Sequence, residues 1–493
     1  MSRIDQLINA HIDTASDRIF IREQGGTDYT LYQLRDEANM IASRLAELYG
    51  DCRGLIFGIA MRSSCYWISA MMAIGQLKAV LLPIPLEFSD EQISNLLGKA
   101  TAIFVTNGMS AERVHSILPD VTCIDARLPK SWDIPFPNIQ ERIEPGICAI
   151  IHTSGTTSKP KGVKIHAEAL GVLVRNVLER VPSKPLHYMS IVPMSLLIEQ
   201  VLGVYLPLLS GGSITLMPEG VAEYGSRSGN AKDYLQFVAK AHPNFLYLPP
   251  KIIEEANDLL TTCSPESLFG KNKPHIITGG AKIARKVLEE LDTRDIYIFE
   301  AYGLSENSSI ISLNYHGNRR IGSVGPLLDG IEPKLVDGEL LVRTPTLCAG
   351  YYNADDTSCE LSDGYLHTGD IAEIRDGFLY ITGRKKHVII LSTARNISPE
   401  WVESVYREST SIDDIIVMGD GRDELATLVL SRASLETVRK EMAKLDYKLA
   451  DFARINRIRV VEDIDSFRSH YYTVTGRPMR KKIEMDFIES LYP

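Results

Sequence analysis

The sequence lacks the cysteine pattern, the leader and the long apolar run that define several broad classes of protein. Its seven cysteines are scattered and odd in number, and no two form a Cys-x-x-Cys pair. This argues against a disulfide framework or a zinc site and favours reduced thiols in a cytoplasmic protein. The first segment, MSRIDQLINAHIDTASDR, has no apolar core typical of a signal peptide. The apolar run VLGVYLPLL at 201–209 is too short for a bilayer, so we expect no membrane span.

An excess of positive charge is also missing. The chain has 53 lysines and arginines against 63 aspartates and glutamates, a formal net charge of −10. Non-specific nucleic-acid binding needs a basic surface, so we expect no nucleic-acid partner, whereas a small anion could still bind in a locally basic site. A chain of 493 residues with 44% hydrophobic residues is long enough for several domains and a sizeable core.

Helical and strand-like patterns alternate along the N-terminal part of the chain. Residues 30–49 carry apolar residues at helical spacing and predict an amphipathic helix. Short apolar runs typical of buried strands lie at 55–61, 79–85, 102–107, 148–154, 188–194, 213–218, 245–250, 275–280 and 296–303. Strands that alternate with helices indicate doubly wound parallel sheets.

The sequence pattern changes twice towards the C-terminus. From about residue 320, short strands broken by Gly, Pro and Asp favour a small antiparallel barrel or sheet. Beyond 384–387 a further α/β stretch begins, with Ser398 as N-cap and Pro399 as first helical residue. We therefore predict an α/β fold. Its N-terminal body, 1–383, has doubly wound sheets and a small β-barrel, and a small mobile α+β domain at 387–493 follows a hinge at 384–386.

One loop concentrates polar side chains between an apolar run and a helix. The sequence HTSGTTSKPKGV at 152–163 is rich in hydroxyl groups, glycine and lysine. It is not a Walker A motif, because the fifth residue after Gly155 is Pro160 rather than glycine. Glycines that let the backbone approach phosphate oxygens, with hydroxyl and lysine donors, would suit a phosphate site. Composition alone leaves a solvated linker equally open.

Five segments in order resemble the adenylate-forming superfamily, which includes acyl- and aryl-CoA synthetases, nonribosomal peptide synthetase adenylation domains and luciferase. The loop HTSGTTSKPKGV resembles that family's phosphate loop. The others are TGGAKI at 278–283, AYGLSE at 301–306, YLHTGDIAEI at 365–374 and GRKKHVIILSTARNISPEWVE at 383–403. The resemblance covers essentially the whole chain, and the ordered set is far more specific than any one motif.

The resemblance implies a nucleotide site built residue by residue. The β- and γ-phosphates of ATP would be held by Thr153, Ser154, Gly155, Thr156, Thr157 and Lys161. The adenosine side would be formed by Gly280, Ala281, Ala301, Tyr302, Gly303, Asp370 and Arg384. Tyr302 is expected to stack on adenine, and the two oxygens of Asp370 suit the ribose diol. Arg384 is expected to donate to the ribose or to a phosphate.

Catalysis in such an enzyme depends on positioning and on neutralising charge during attack of a carboxylate on the α-phosphorus. The resemblance implies that Ser305 contacts the α-phosphate and that Glu306 helps to hold Mg²⁺, which prefers oxygen ligands. Lys161 would neutralise the departing pyrophosphate. Taken singly, Asp370 could be a turn residue and Glu306 a solvated charge; the ordered set favours the functional interpretation. Lys386 occupies the family's hinge position.

The sequence departs from the family pattern at four positions. In YTVTGRPMRKKI, 472–483, Arg477 stands where the family usually has a lysine that contacts the α-phosphate and the attacking carboxylate. Arginine keeps the charge but is planar and bulkier, and Lys481 or Lys482 could compensate. Ala394 replaces a glycine that lines the pantetheine tunnel. The other departures are Ser158 in the phosphate loop and Leu196, where many acyl- and aryl-CoA synthetases have histidine.

The acid-binding segment is apolar. Leu196, Ile198 and Gly279 are the expected pocket residues, and Ile198 falls where amino-acid-activating members have an aspartate for the α-ammonium. An apolar side chain cannot compensate a buried ammonium, so we expect a fatty or aryl acid. Glu199 is adjacent, and a shift of one residue would restore an acidic partner.

These features predict an ATP- and Mg²⁺-dependent acid–thiol ligase. It would make an acyl-adenylate from a small carboxylic acid and pass the acyl group to coenzyme A, or to the phosphopantetheine of a separate carrier protein. We expect no fused carrier domain, because the last motif ends at residue 483 of a 493-residue sequence. Ala394 mildly favours an amide or ester ligase without a thioester step. An amino-acid-activating enzyme and, because of Arg477, a degenerate nucleotide-binding homologue are further alternatives.

Overall fold

The fold is seen in a computed structural model of the chain. The structure describes residues 3–12, 17–23, 26–86, 88–97, 100–106, 109, 111–127, 132, 142–152, 161–182, 184–224, 230–352, 359–392, 396–473 and 476–492. Thr153 to Thr157, Ser158 and Ala394 lie outside the described residues. The predictions for them therefore remain predictions.

Helices alternate with strands along much of the described chain. They are α1 (Ile4–Ile12), α2 (Leu31–Tyr49), α3 (Cys65–Gln76), α4 (Asp90–Leu97), α5 (Ala111–Ile117), α6 (Ala167–Leu178), α7 (Leu197–Glu199), α8 (Leu206–Leu209), α9 (Ala231–Ala241), α10 (Pro250–Leu259), α11 (Pro265–Phe269), α12 (Arg285–Asp292), α13 (Pro399–Tyr406), α14 (Leu435–Ala443), α15 (Ile464–Tyr471) and α16 (Arg480–Leu491). A π-helical stretch, Gln200–Tyr205, joins α7 to α8. Helix α2 confirms the expected amphipathic helix, and Thr30 and Gln33 form a capping box at its start.

The strands of the described residues fall into five sheets. They are β1 (Ile19–Glu23), β2 (Tyr29–Thr30), β3 (Ile56–Ile59), β4 (Val80–Pro83), β5 (Ala102–Phe104), β6 (Thr122–Ile124), β7 (Ile147–His152), β8 (Gly162–His166), β9 (His187–Met189), β10 (Ser213–Leu216), β11 (Phe245–Tyr247), β12 (His275–Gly279), β13 (Ile298–Tyr302), β14 (Ser312–Leu313), β15 (Glu332–Val336), β16 (Glu339–Arg343), β17 (Tyr351–Tyr352), β18 (Leu361–Ser362), β19 (Tyr365–Arg375), β20 (Phe378–Arg384), β21 (Ile389–Ile390), β22 (Asn396–Ile397), β23 (Asp414–Met418), β24 (Leu425–Leu430) and β25 (Ile455–Val461).

Two large sheets with parallel centres form the N-terminal body. One has the order β17-β8-β7-β4-β3-β5-β6, and the other has the order β14-β13-β12-β11-β9-β10-β1-β2. The neighbouring pairs β3–β4 and β12–β13 are parallel, whereas the edge strands β14 and β2 pair antiparallel. The parallel pairs confirm the doubly wound α/β prediction. Parallel strands end at the same edge of a sheet, and ligands of such folds bind there.

The smaller sheets follow in the C-terminal part of the chain. Strands β15, β16, β19, β18 and β20 make an antiparallel sheet, which among the described residues is open rather than a closed barrel. Sequence patterning alone does not separate these two outcomes, because both need the same alternating strands. Beyond this sheet, β23-β24-β25 and helices α13 to α16 enclose cores of their own. Helix α13 begins as expected, since the Ser398 side chain accepts a bond from the Trp401 amide.

Candidate active site

Strand register creates the charged centre of the site. Asp370 on β19 lies directly opposite Arg384 on β20, so both side chains project from the same face. The Arg384 Nε lies 2.8 Å from the Asp370 Oδ1. From the end of β13, the Tyr302 hydroxyl donates to the Asp370 Oδ2 at 2.6 Å. Three of the expected adenosine-side residues therefore meet in one network, which we call the ribose-side network (Tyr302, Asp370, Arg384).

Burial and charge act in opposite directions on Asp370. The residue is 8% exposed, and desolvation raises its carboxyl pKa. The Arg384 charge and the Tyr302 hydrogen bond partly offset this increase. Each carboxylate oxygen has a second lone-pair direction besides the one in use. Asp370 can therefore accept two hydroxyl groups of a ligand without losing its protein partners.

Glycines bring backbone close to this network. A Cβ on Gly279 would lie 2.8 Å from the Ala301 carbonyl oxygen, because the two residues face each other across β12 and β13. A Cβ on Gly303 would lie 1.6 Å from the Ser309 oxygen. Gly280 has a φ of +90°, a conformation that favours glycine. Gly280, Ala281 and Gly303 are exposed, which leaves a backbone-lined rim beside Asp370.

The C-terminal unit reaches this rim through Arg477. The Arg477 Nη2 donates to the Gly280 carbonyl oxygen at 2.8 Å. A tight turn presents the side chain: the Gly476 and Arg477 amides donate to Thr473, and the Thr473 amide donates back to the Arg477 oxygen. Lys482 instead donates to the His470 carbonyl within its own unit. Arg477 rather than Lys482 therefore occupies the cleft.

A second group of side chains collects the predicted phosphate-side residues. Glu306 lies in a 3₁₀ turn, Ser305–Asn307, directly after β13, and Ser305 beside it is half-buried. The Tyr351 hydroxyl donates to the Glu306 Oε1 at 2.8 Å. The Lys161 Nζ lies 4.8 Å from the centre of the Tyr351 ring. These three residues form what we call the phosphate-side triad (Lys161, Tyr351, Glu306).

The segment predicted to bind the acid has a buried carboxylate, Glu199. Leu196 and Ile198 are half-buried and pack against the main core. Glu199 is 0% exposed, and its two oxygens accept bonds from Tyr188 and Ser190, each at 2.5 Å. Burial raises the pKa of Glu199 to about 8. Because Tyr188 and Ser190 already bond its oxygens inside the core, Glu199 is poorly placed to pair with an ammonium group in a pocket.

The expected hinge region has one fixed and one free lysine. Lys385 and Lys386 lie in a 3₁₀ turn, Lys385–His387. The Lys385 Nζ is 2.7 Å from the buried Glu339 carboxylate. Lys386 is exposed, and in the described part of the chain it makes no ion pair. His387 follows, 2.6 Å from Glu400 of helix α13.

Two residues at the site were not predicted from the sequence. Tyr351 bonds Glu306, and the Tyr247 hydroxyl donates to the Gly279 carbonyl at 3.1 Å. Both come from strand ends far from the motifs that they contact. Their residue type carries no signal, since tyrosines in strands are common. The dipeptide YY beside a glycine and alanine at 349–352 is the only local clue.

The donor set suits Mg²⁺ bound with a nucleotide better than a metal held by protein alone. Within the described ranges, no three His, Cys, Asp or Glu side chains cluster as metal ligands. The Glu306 Oε1 accepts the Tyr351 bond, and no described residue bonds its Oε2. Mg²⁺ typically binds one or two carboxylates together with substrate phosphates and water. Glu306 fits that role.

No helix in the described part of the chain combines the length and apolarity needed to cross a bilayer.

Curated relatives of the chain carry acid–CoA ligase names. A Mycobacterium tuberculosis protein named as a fatty-acid–CoA ligase is 28% identical over 356 residues, which span 61% of each chain. A 2-succinylbenzoate–CoA ligase of Listeria innocua is 25% identical over 77% of this chain and 76% of its own. The chain thus spans less than two thirds of the length of the mycobacterial relative.

Solved structures share the fold, and sequence profiles identify the family. The anthranilate CoA ligase AuaEII, in complex with anthranoyl-AMP, superposes with a TM-score of 0.84 at 18% identity, over 100% of this chain and 98% of its own. The amide bond synthetase McbA from Marinactinospora thermotolerans gives 0.79 at 19% identity, over 98% and 99%. The AMP-binding enzyme profile matches residues 9–352, and the AMP-binding enzyme C-terminal domain profile matches 386–492. The chain therefore belongs to the AMP-binding enzyme family.

Proposed function

We propose that the protein activates a carboxylic acid with ATP, forming an acyl-adenylate and pyrophosphate, and then transfers the acyl group to a thiol. Coenzyme A is the proposed acceptor, with the phosphopantetheine of a separate carrier protein as the alternative. The observation that carries the proposal is the hydrogen bond from Arg477 to the Gly280 carbonyl, on the glycine rim next to the ribose-side network. A cation from the second unit would then be available to an α-phosphate bound beside the ribose.

The ribose-side network supplies nucleotide affinity in this proposal. Asp370 accepts the ribose diol while Arg384 and Tyr302 keep its carboxylate ionised and oriented. The Tyr302 ring borders the glycine-rich rim, where the adenine base would lie against backbone of Gly280 and Ala281. Such contacts are the same in the ground state and the transition state. They therefore set binding more than rate.

The phosphate side supplies charge neutralisation. When bound, Mg²⁺ would polarise phosphate oxygens and offset the charge of the departing pyrophosphate. Glu306 provides the carboxylate for it, and Lys161 provides a mobile cation beside it. Ser305, half-buried in the same turn, places a hydroxyl next to Glu306. Residues 153 to 157 would complete this end of the site.

The acid is proposed to be apolar or aromatic and to lack an α-amine. Leu196 and Ile198 offer no charge to an ammonium, and Glu199 is bonded inside the core. Burying an uncharged polar group without a hydrogen-bond partner costs on the order of 2–7 kcal/mol, and burying an unpaired ammonium costs more. Ligase names of the relatives, for fatty and succinylbenzoate acids, agree with an acid of this type.

The deciding experiment is acid-dependent exchange between ATP and labelled pyrophosphate, with fatty, aryl and standard amino acids in parallel. We expect exchange with simple acids and none with amino acids. Exchange driven best by one amino acid would overturn the proposed pocket. Absence of exchange with every acid, although ATP binds, would favour the degenerate homologue instead.

A second candidate is an amide or ester ligase that uses the adenylate without a thioester. The resemblance to an amide bond synthetase fold and the extra methyl of Ala394 favour it. Addition of coenzyme A to a reaction that already forms adenylate separates the two. An acyl thioester supports the ligase with a thiol acceptor. Unchanged adenylate that reacts only with an amine or alcohol supports the second candidate.

A further inference from the structure

Tyr351 joins the two charged residues of the phosphate side by two different interactions. Its hydroxyl donates to the Glu306 Oε1 at 2.8 Å. The face of its ring lies 4.8 Å from the Lys161 ammonium, within the range of a cation–π interaction. A carboxylate and an ammonium of opposite charge thus share one uncharged neighbour.

Backbone pairing fixes Tyr351 in this position from both sides. Tyr351 on β17 is registered with Val163 on β8, the second residue after Lys161. The Cys348 amide donates to the Glu306 carbonyl oxygen at 2.9 Å, just ahead of the same strand. The segment 348–352 is therefore attached to the strand that leaves the phosphate loop and to the turn that bears Glu306. A displacement of β8 or of the turn that bears Glu306 would therefore move Tyr351.

We propose that Tyr351 is a positioning residue that orients Glu306 for a magnesium–nucleotide complex and holds Lys161 beside it. This inference rests on the proposed ATP-dependent function. The hydrogen bond occupies Oε1 and leaves Oε2 available to a cation. The ring gives Lys161 a weak partner that it can leave when phosphate oxygens arrive. A direct ion pair with a carboxylate would be harder to exchange.

The hydroxyl has a clear role as donor, because a carboxylate oxygen can only accept a hydrogen bond. Partners that bond a metal-binding carboxylate or histidine fix its direction, and their loss typically lowers metal affinity about 10- to 100-fold.

The side chain offers a clean dissection. Tyr351→Phe removes only the bond to Glu306 and keeps the ring below Lys161. Tyr351→Leu removes both interactions. Tyr297→Phe is a matched control, because the Tyr297 hydroxyl also donates to a carboxylate, Asp295, at 3.3 Å. Tyr297 precedes β13, at the end of that strand remote from Tyr302.

The test is calorimetric titration of MgCl₂ into each protein with an ATP analogue whose α and β phosphorus atoms are bridged by methylene. We expect Tyr351→Phe to weaken magnesium-dependent binding about tenfold, while binding of the analogue without magnesium stays unchanged. Tyr351→Leu should in addition weaken metal-free binding, because Lys161 is then no longer held beside Glu306 before the analogue binds. Tyr297→Phe should match the wild type in both titrations.

The outcomes separate this inference from the proposed function. Equal magnesium dependence in Tyr351→Phe and the wild type would overturn the role of Tyr351 alone. Failure of the wild type to bind the analogue at any magnesium concentration would overturn the proposed function and this inference with it. If Tyr351→Phe loses stability, the same substitution in a Glu306→Gln background decides. A further tenfold loss there would show that Tyr351 does not act through Glu306.

Discussion

The proposed nucleotide side and the proposed acid side of the site differ in how they hold a carboxylate. Asp370 bonds Arg384 and Tyr302, and each of its oxygens keeps a further lone pair. Glu199 lies in the core, where Tyr188 and Ser190 bond both of its oxygens. One carboxylate has an arginine partner, and the other is bonded by hydroxyl groups in the core. The difference suits a polar nucleotide on one side and an apolar acid on the other.

The contrast has a physical origin in how each carboxylate is compensated. Arg384 offsets the burial of Asp370 with a full charge, whereas the side chains that bond Glu199 in the described part of the chain are the hydroxyls of Tyr188 and Ser190. Hydroxyl donors cannot outweigh the desolvation of a fully buried charge, so Glu199 is held largely neutral at pH 7. Substitutions on the two sides should therefore change different quantities: rate and nucleotide affinity on one side, and stability on the other.

Lys161→Ala should cause the largest loss on the nucleotide side. If the ammonium neutralises departing pyrophosphate, its removal should cost about 2–4 kcal/mol of transition-state stabilisation, or tens- to hundreds-fold in adenylation rate. Lys164→Ala is the matched control, because Lys164 lies on β8, three residues after Lys161, but pairs with Glu144 at 2.5 Å. Pyrophosphate release measures both variants. An unchanged rate in Lys161→Ala would return the loop to the status of a linker.

Arg477→Ala should have the next largest effect, and it should be confined to one half-reaction. Arg477 reaches Gly280 from the C-terminal unit, where it would contact the α-phosphate during adenylation. Loss of this cation should slow adenylation by about 2–3 kcal/mol, tens-fold or more. Acyl transfer from chemically prepared acyl-adenylate to coenzyme A should keep its rate, because the unit would have rotated about Lys386 by then.

Lys481→Ala serves as the control for Arg477→Ala. Lys481 is exposed in the first turn of α16. Equal loss in both half-reactions of Arg477→Ala would argue against two arrangements of the C-terminal unit. Loss of adenylation in Lys481→Ala alone would instead transfer the catalytic position to that lysine.

Asp370→Ala should weaken ATP and AMP equally. The ribose is common to both nucleotides, so the loss of its acceptor should cost about 1.5 kcal/mol, roughly tenfold in Kd, in each case. Asp376→Ala, at the turn of the same hairpin, removes an exposed ion pair with Arg320 and should not change either Kd. Calorimetry of both nucleotides measures the effect. Selective loss of ATP would place Asp370 near the phosphates instead.

Local patterns predicted the parts of the molecule that depend on neighbours in sequence. The apolar spacing of 30–49 gave helix α2, and Ser398 with Pro399 gave the start of α13, because propensity and capping act within a few residues. The ribose-side network also follows motif residues, although its geometry needs the register of β19 with β20. That register is set by pairing of whole strands and is not readable from the motif.

Contacts between segments that are distant in the chain could not be predicted from the sequence. Tyr351 lies 45 residues from Glu306 in the chain, and only the pairing of β17 with β8 brings it near Lys161. Glu199 is the last residue of α7, and a π-helical stretch begins at the next residue. Adjacency to Ile198 in sequence suggested a pocket residue, but helical geometry turned the neighbouring side chain into the core. An open sheet and a closed barrel share one pattern of alternating residues, because the difference between them depends on pairing of distant strands.

Glu199→Gln tests the proposed acid side and should have the smallest effect on adenylation rate and nucleotide affinity, because it acts on the pH dependence of stability. The pKa of Glu199 is raised to about 8 in the folded protein, from an ordinary value of 4.5. Between these values the folded chain keeps a proton that the unfolded chain releases, so stability falls as pH rises. The slope for one proton is at most about 1.4 kcal/mol per pH unit.

Glutamine cannot ionise, and its amide can still bond Tyr188 and Ser190 if one hydroxyl accepts instead of donating. Urea unfolding of both proteins from pH 5 to pH 8 should therefore show the variant gaining on the wild type as pH rises. Glu436→Gln, whose side chain is 78% exposed on α14, should follow the wild-type profile. Parallel profiles for Glu199→Gln and the wild type would mean that Glu199 is ionised in the fold, and a charged partner for an amino acid would again be available.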